Sequence, residues 1–79
     1  MARTTLSLPF SGSALRALRE RAGLTQKALA DACREAGYGT SRGNIAKLET
    51  QGSRPVPPLL RALTEALSCK VDDLLEQAK

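Results

Sequence analysis

The residues best suited to do chemistry lie in one stretch, Ser41-Arg42-Gly43-Asn44-Ile45-Ala46-Lys47-Leu48-Glu49. Ile45 and Leu48 are three residues apart, so they share one face of a helix. The residues that then point elsewhere, into solvent, are Arg42, Gly43, Asn44 and Lys47. Positive charge attracts phosphate, and Arg, Asn and Lys side chains can hydrogen-bond base edges. The pattern is typical of a helix that enters a nucleic-acid groove, or of an ordinary solvated helix face, which is the more common case.

The length and charge of the chain bear on whether this stretch binds nucleic acid or is a solvated helix face. The chain has 79 residues, which is one small domain with room for one modest core. Its formal net charge of +4 favours an anionic partner. The charge is uneven, because residues 1–61 hold ten Lys/Arg and four Asp/Glu, whereas residues 62–79 hold two lysines and four acids. The basic part contains the stretch 41–49.

Several classes of function are disfavoured by composition. No stretch approaches the ~20 apolar residues of a membrane span, and residues 1–12 do not resemble a signal peptide. We therefore expect a cytoplasmic protein with no membrane partner. The chain has no His, and neither Cys33 nor Cys69 belongs to a CxxC pair, so we expect no metal site and no cofactor. Both cysteines are interpreted as small core residues, and without His or a phosphate loop we expect no enzyme.

The spacing of apolar residues predicts helices separated by clear breakers. Ser13 is the predicted N-cap of a first helix that stops at Gly23. Thr25 caps a second helix, which Gly37 ends. A third helix runs over about 41–50. Because the second and third helices are joined by a short connection, they form a helix-turn-helix unit.

The rest of the chain predicts two more helices and an N-terminal arm. Residues 53–58 form a proline-containing loop, and the next helix begins at Pro57 or Pro58, where proline is tolerated. A fifth helix has its apolar stripe at Val71, Leu74, Leu75 and Ala78. Residues 1–12 are predicted to be an arm from which Phe10 docks on the core, and residues 13–79 the domain. The predicted fold class is all-α.

The order of these residues carries a resemblance. The set comprises Leu15-Arg16, Leu18-Arg19, Gly23-Leu24-Thr25-Gln26, Leu29-Ala30, Ser41-Arg42, Ile45, Leu48-Glu49, Gly52, Pro55, Leu63, Ala66-Leu67, Val71 and Leu74-Leu75. It resembles the phage repressor and Cro-like helix-turn-helix family, also called the xenobiotic-response-element family, over residues 13 to 76. The resemblance implies a lambda-repressor-like bundle of five helices that binds double-stranded DNA. Its third helix would enter the major groove, and a homodimer would read an inverted repeat.

The same resemblance implies roles for individual residues. Arg42 and Lys47 would read bases, and Gly43 occupies a position that often carries a reading side chain. Residues expected at the DNA backbone are Gln26, Ser41, Asn44, Gln51, Ser53 and Arg54, and Gln26 would also brace a base reader. Glu49 would form a structural ion pair with Arg19 rather than act in catalysis.

Three departures from the family pattern affect these expectations. The span from Gln26 to Ser41 is about five residues longer than usual, so we expect the second helix to run an extra turn, through Arg34 and Glu35. The extra length brings Arg34 or Tyr38 near DNA, unless Tyr38 instead covers the edge of the core. Ser68 stands where the family often has Gly, which implies some strain if the left-handed conformation is kept. Lys70 replaces the usual cap of the last helix, whose start is expected to fray.

Two function classes remain open, and one guess about assembly can be made. The first class is a sequence-specific transcriptional regulator, most simply a repressor. The second is an antitoxin or another module that binds a partner protein. For the homodimer we expect contacts through the last helix and the arm, using apolar residues left over from the core: Leu6, Leu8, Phe10, Leu59, Val71 and Leu75.

Overall fold

The computed structural model describes residues 10–51 and 54–75. These residues form four α-helices, α1 (Gly12–Arg21), α2 (Gln26–Glu35), α3 (Arg42–Gln51) and α4 (Pro57–Leu67). A 3₁₀ turn, Val71–Leu74, follows α4. The predicted helical class is confirmed for this part of the chain. The predicted count of five α-helices is wrong, because the last segment is a single 3₁₀ turn.

Long-range backbone contacts explain why the last segment is not an α-helix. After the turn, Leu75 returns to an extended conformation, with φ −107° and ψ 153°. It forms an isolated antiparallel bridge with Phe10, and the backbone N–H of Ser11 donates to the carbonyl oxygen of Leu74 at 2.8 Å. The chain before α1 thus occupies a carbonyl that a continuing helix would need. Ala78, the last residue of the predicted stripe, lies outside the described residues.

The start of the 3₁₀ turn is closed by a side chain from inside the turn. The N–H of Lys70 donates to the Asp73 carboxylate at 3.0 Å. In return, the N–H of Asp73 donates to the Lys70 carbonyl at 3.0 Å. The start is therefore not frayed as expected, because an acid at the third position replaces the missing N-cap side chain.

Helix α1 begins earlier than predicted. The N-cap is Ser11, not Ser13, and its hydroxyl accepts a hydrogen bond from the Ala14 N–H at 3.1 Å. An N-cap residue needs an extended backbone, and Ser11 has φ −103° and ψ 105° because Phe10 is already paired with Leu75. Gly12 is therefore the first residue of the helix, and it is buried.

Three of the described helix ends have left-handed residues, the first being Gly23 after α1, with φ +74°. At the end of α2, Gly37 has φ +109°, and the N–H of Tyr38 donates to the Cys33 carbonyl at 3.0 Å. The extra turn predicted for α2 is confirmed, since the helix reaches Glu35. At the end of α4, Ser68 has φ 52° and ψ 46°, so a residue with a Cβ adopts the conformation that favours glycine.

One apolar core connects all these elements. It contains Leu15 of α1, Leu29 and Cys33 of α2, Ile45 and Leu48 of α3, Leu59, Leu60 and Leu63 of α4, and Leu74. Phe10 is 3% exposed, as predicted for a residue that docks on the core. Leu59 and Leu75 are likewise buried, at 3% and 2% exposure. The expectation that Phe10, Leu59 and Leu75 are left over for a dimer contact is therefore wrong, because the domain itself buries them.

Candidate nucleic-acid interface

Helix α3 has a buried and an exposed face. Ile45 and Leu48 are buried, with exposures of 0% and 4%. Arg42, Gly43 and Lys47 are exposed, as the sequence pattern predicts, whereas Asn44 was predicted to be exposed and is half-buried. Half of the ten residues of α3 are exposed and open to a partner.

The start of α3 is held by short polar contacts. The hydroxyl of Ser41 accepts a hydrogen bond from the Asn44 N–H at 3.1 Å. The Asn44 side-chain amide donates to the Thr40 hydroxyl at 2.9 Å. These bonds fix the first turn of the helix, including the exposed residues Arg42 and Gly43. They also commit the Ser41 oxygen and one Asn44 N–H within the protein, whereas the Ser41 hydroxyl hydrogen remains able to donate to a phosphate.

The other end of α3 is tied to α1 by a bidentate ion pair. Arg19 Nε donates to Glu49 Oε2 at 2.6 Å, and a terminal guanidinium nitrogen of Arg19 donates to Glu49 Oε1 at 3.2 Å. The two side chains are only 11% and 3% exposed. The hydrogen bond to Glu49 raises the pKa of Arg19 above its ordinary value, against the opposing effect of burial. The remaining guanidinium nitrogen donates to the Leu24 carbonyl at 2.7 Å, so the pair also fixes the connection between α1 and α2.

Gln26 joins this network from the first position of α2. Its side-chain amide donates to Glu49 Oε1 at 3.1 Å. The three helices α1, α2 and α3 therefore meet at one carboxylate. Gln26 lies beside α3 as the resemblance implies, but its amide nitrogen is bonded inside the protein. A phosphate contact by Gln26 stays a prediction.

A groove runs along the exposed side of α3, between the helix and residues 54–56. Its volume is about 260 Å³, and the polar side chains that line it are Tyr38, Asn44, Lys47, Gln51 and Arg54. None of the described residues lining it is acidic. Four of the residues predicted to face DNA thus converge on one groove, while Arg42 lies at the start of α3 and Ser53 is outside the described residues.

Five lining residues were not among the predicted site residues, namely Tyr38, Leu48, Pro55, Val56 and Leu59. Tyr38 is half-buried and packs against the core, yet it also lines the groove. Val56 lines the groove too and is the one large apolar side chain exposed in the described residues, at 51%. The lengthened α2–α3 connection drew attention to Tyr38, but sequence alone did not decide which way it faces. Val56 had no signal beyond its place between Pro55 and Pro57.

The cysteines have no second function that the structure reveals. Both thiols are free, with Cys33 buried and Cys69 half-buried. Burial raises the pKa of Cys33 to about 11, and burial together with the nearby Asp73 carboxylate raises the pKa of Cys69. Thiols that stay protonated at neutral pH are poor nucleophiles. In residues 10–51 and 54–75, no cluster of His, Cys, Asp and Glu is arranged to hold a metal ion.

Comparison with known families decides what this arrangement is. A family model described as "Helix-turn-helix domain" matches residues 12–78. The chain belongs to the helix-turn-helix domain family. Searches of curated proteins and of solved structures gave no match. Membership of this family indicates DNA binding and a role in transcription regulation. No helix within the described part of this domain is long and apolar enough to cross a bilayer.

Proposed function

We propose that this helix-turn-helix protein is a sequence-specific regulator of transcription, most simply a repressor of the Cro-like type, that places α3 in the major groove. The observation that carries the proposal is the division of α3 into two faces. Ile45 and Leu48 anchor it to the core, while Arg42 and Lys47 stand exposed on a helix whose far end is locked by Glu49. A rigid helix with free cationic side chains suits groove reading.

Arg42 is the principal candidate for base recognition. It is exposed and lies in the first turn of α3, the end of a recognition helix that meets base edges. Its planar guanidinium can donate two hydrogen bonds to the acceptors of guanine. Gly43 follows without a side chain, so contact at that position would come from the backbone or be absent.

The remaining polar residues are assigned to the DNA backbone. Gln51 and Arg54 line the groove beside α3, and Asn44 does so from within the helix. Lys47 lines the same groove and is exposed. It is therefore placed to reach either a base or a phosphate, and a salt titration separates the two. Phosphate contacts make affinity fall steeply with salt.

The first experiment is selection of bound sequences from a random duplex library, with affinities of the recovered sites measured at two salt concentrations. We expect one inverted-repeat motif whose half-sites lie about one helical turn apart. Such a motif supports both specific reading and a homodimer. Motif-free binding that disappears at modest salt would contradict groove reading.

Arg42→Ala provides the residue-level test. We expect it to lower affinity for the selected site by about 10- to 100-fold, which corresponds to roughly 1–3 kcal/mol, and to relax the preference at one guanine. Arg16→Ala is the matched control, since Arg16 is 65% exposed on α1 and is already paired with Glu20 at 3.0 Å. This variant removes the same positive charge from α1 instead of from α3. Equal loss of specificity in both variants would overturn the assignment of Arg42.

We propose a homodimer, but its interface is not the one that the sequence predicts from the last helix and the arm. Phe10, Leu59 and Leu75 are buried within one chain, Val71 is half-buried, and Leu6 and Leu8 lie outside the described residues. Sedimentation of the protein alone and with its selected duplex tests the assembly. We expect two chains per inverted repeat, and one chain per repeat would contradict it.

A further inference from the structure

Tyr38 occupies an unusual position between the core and the groove beside α3. Its ring packs against the core cluster, and its side chain lines the groove that also contains Lys47 and Arg54. It also lines a second, larger cavity of about 460 Å³ at the start of α4, beside Pro57 and Pro58. The side chain therefore forms the wall between the α3 surface and the start of α4.

The backbone holds Tyr38 in place. Gly37, with φ +109°, turns the chain at the end of α2. The N–H of Gly37 donates to the Arg34 carbonyl at 3.0 Å, and that of Tyr38 donates to the Cys33 carbonyl at 3.0 Å. Because this helix-ending motif is anchored to a buried residue, Tyr38 keeps a defined position relative to α3. Order of this kind reduces the entropy lost when a ligand is bound.

The hydroxyl group of Tyr38 has no bonding partner in the described part of the chain. A half-buried tyrosine usually uses its hydroxyl for a hydrogen bond while its ring packs on apolar neighbours. The groove that Tyr38 lines carries the cationic side chains of Lys47 and Arg54 and, in the described residues, no carboxylate. An anionic acceptor is therefore favoured there. The volume of about 260 Å³ accommodates a phosphate group with part of its sugar.

We propose that Tyr38 is a DNA-contact residue whose hydroxyl donates a hydrogen bond to a backbone phosphate seated in the groove between α3 and residues 54–56. The proposal rests on the proposed function, since it assigns one contact of the same surface. It differs from the contacts of Lys47 and Arg54 in one respect. A tyrosine hydroxyl is uncharged, so it adds affinity without displacing a counterion from DNA.

The test compares Tyr38→Phe with Lys47→Ala on the selected duplex, by fluorescence anisotropy across a range of salt concentrations. Tyr38→Phe should lower affinity by about 3- to 10-fold at every salt concentration, with the slope of log affinity against log salt unchanged. Lys47→Ala should reduce that slope by about one if it contacts a phosphate. Thermal unfolding of Tyr38→Phe should match that of the original protein, because the hydroxyl has no partner to lose in the described residues.

A second measurement uses the fact that Tyr38 is the only tyrosine of the chain. Protein labelled with ¹³C in the tyrosine ring gives the signals of this one residue. We expect them to shift when the duplex is added. Wild-type affinity in Tyr38→Phe, with Arg42→Ala still weakened and the ring signals unmoved, would overturn the proposal and leave the proposed function standing. If the original protein binds no duplex at all, both fail.

Discussion

The two faces of α3 show opposite ways of using a helix. On the inner face, Ile45 and Leu48 are buried and Glu49 accepts three hydrogen bonds, two from Arg19 and one from Gln26. On the outer face, Arg42, Gly43 and Lys47 are exposed, and no hydrogen bond or ion pair within the described residues holds the side chains of Arg42 and Lys47. The inner face fixes where the helix lies, and the outer face is left free to bind.

Two glycines make the same contrast. A Cβ built on Gly12 would overlap the backbone oxygens of Leu48 and Glu49. A Cβ on Gly43 would find the Ser41 hydroxyl oxygen at 3.9 Å as its nearest atom, which is ordinary contact. At Gly12 the missing side chain lets α1 approach α3, whereas at Gly43 it leaves space on the surface. Glycine therefore allows two helices to pack closely at position 12, and it leaves room for a partner on the surface of α3 at position 43.

The largest expected effect is on the inner face. Glu49→Ala removes the carboxylate at which α1, α2 and α3 meet. The guanidinium of Arg19, which is 11% exposed, then keeps only one carboxylate contact among the described residues, at 4.0 Å with the exposed Glu20. Breaking a buried ion pair from one side typically costs about 3–5 kcal/mol. We expect the free energy of unfolding, measured by urea denaturation, to fall by roughly that amount.

Glu20→Ala is the control for this variant. Glu20 is 54% exposed, pairs with Arg16 at 3.0 Å along α1, and makes only a long contact of 4.0 Å with Arg19. Exposed pairs of this kind contribute at most about 0.5 kcal/mol. If Glu49→Ala and Glu20→Ala had the same small effect, the inner face would not depend on the ion pair, and the distinction between the two faces of α3 would have to rest on Ile45 and Leu48 alone.

Gly12→Ala should give the next largest effect. The added methyl group would meet two backbone oxygens of α3, and backbone atoms move less easily than the end of a flexible side chain. Overpacking of this kind costs about 1–3 kcal/mol, and we expect the upper end of that range. The midpoint of thermal unfolding should fall by more than ten degrees for a domain of this size. An unchanged midpoint would mean that α1 and α3 are further apart than described.

Cys33 of α2 is buried in the same core as the inner face of α3, and we expect it to make the free energy of unfolding depend on pH in alkali. Its pKa is raised from 9.0 to about 11 by burial, so the folded state favours the protonated thiol. The associated stability is present below pH 9 and is lost as pH rises from 9 towards 11. The loss is about 3 kcal/mol at its largest, because each of the two pKa units corresponds to about 1.4 kcal/mol.

The matched variant for this measurement is Cys33→Ala, which keeps every other titrating group. Its stability in urea should decline less between pH 8 and pH 10.5 than that of the original protein. Parallel decline in the two proteins would show that the Cys33 thiol does not titrate differently in the folded and unfolded states. Cys69 is half-buried, so an alkylating reagent should modify it well before Cys33.

Sequence reasoning succeeded where the determining contacts are local. Thr25 caps α2 through the Ala28 N–H at 3.0 Å, and Gly37 ends it, because caps and left-handed residues act within a few positions. Sequence reasoning failed where a contact with a distant segment determines the local structure. Because Phe10 pairs with Leu75, α1 begins earlier than predicted, and the segment predicted as a fifth helix is a 3₁₀ turn.

The candidate site shows the same limit. The amphipathic pattern of 41–49 was enough to divide α3 into a buried and an exposed face, since both faces follow from helical periodicity. The groove was not predictable, because it brings Tyr38 from the α2–α3 connection together with Val56 from the next loop. No spacing rule relates residues in two separate loops. The side on which Tyr38 lies depends on the packing of α2 against α4.

The smallest expected effect on stability, and the sharpest test of the outer face, comes from Gly43→Ala. Replacing a helical glycine that has room for a methyl group should stabilise the protein by up to about 1 kcal/mol, the opposite sign to Gly12→Ala. Affinity for the selected duplex should nevertheless fall, or its base preference should move towards a thymine methyl, because in the proposed complex the new group stands against the DNA. Calorimetry and anisotropy on the same preparation measure the two quantities. Greater stability with weaker binding would separate the requirements of folding from those of recognition at one residue, whereas unchanged binding would place the start of α3 away from the DNA.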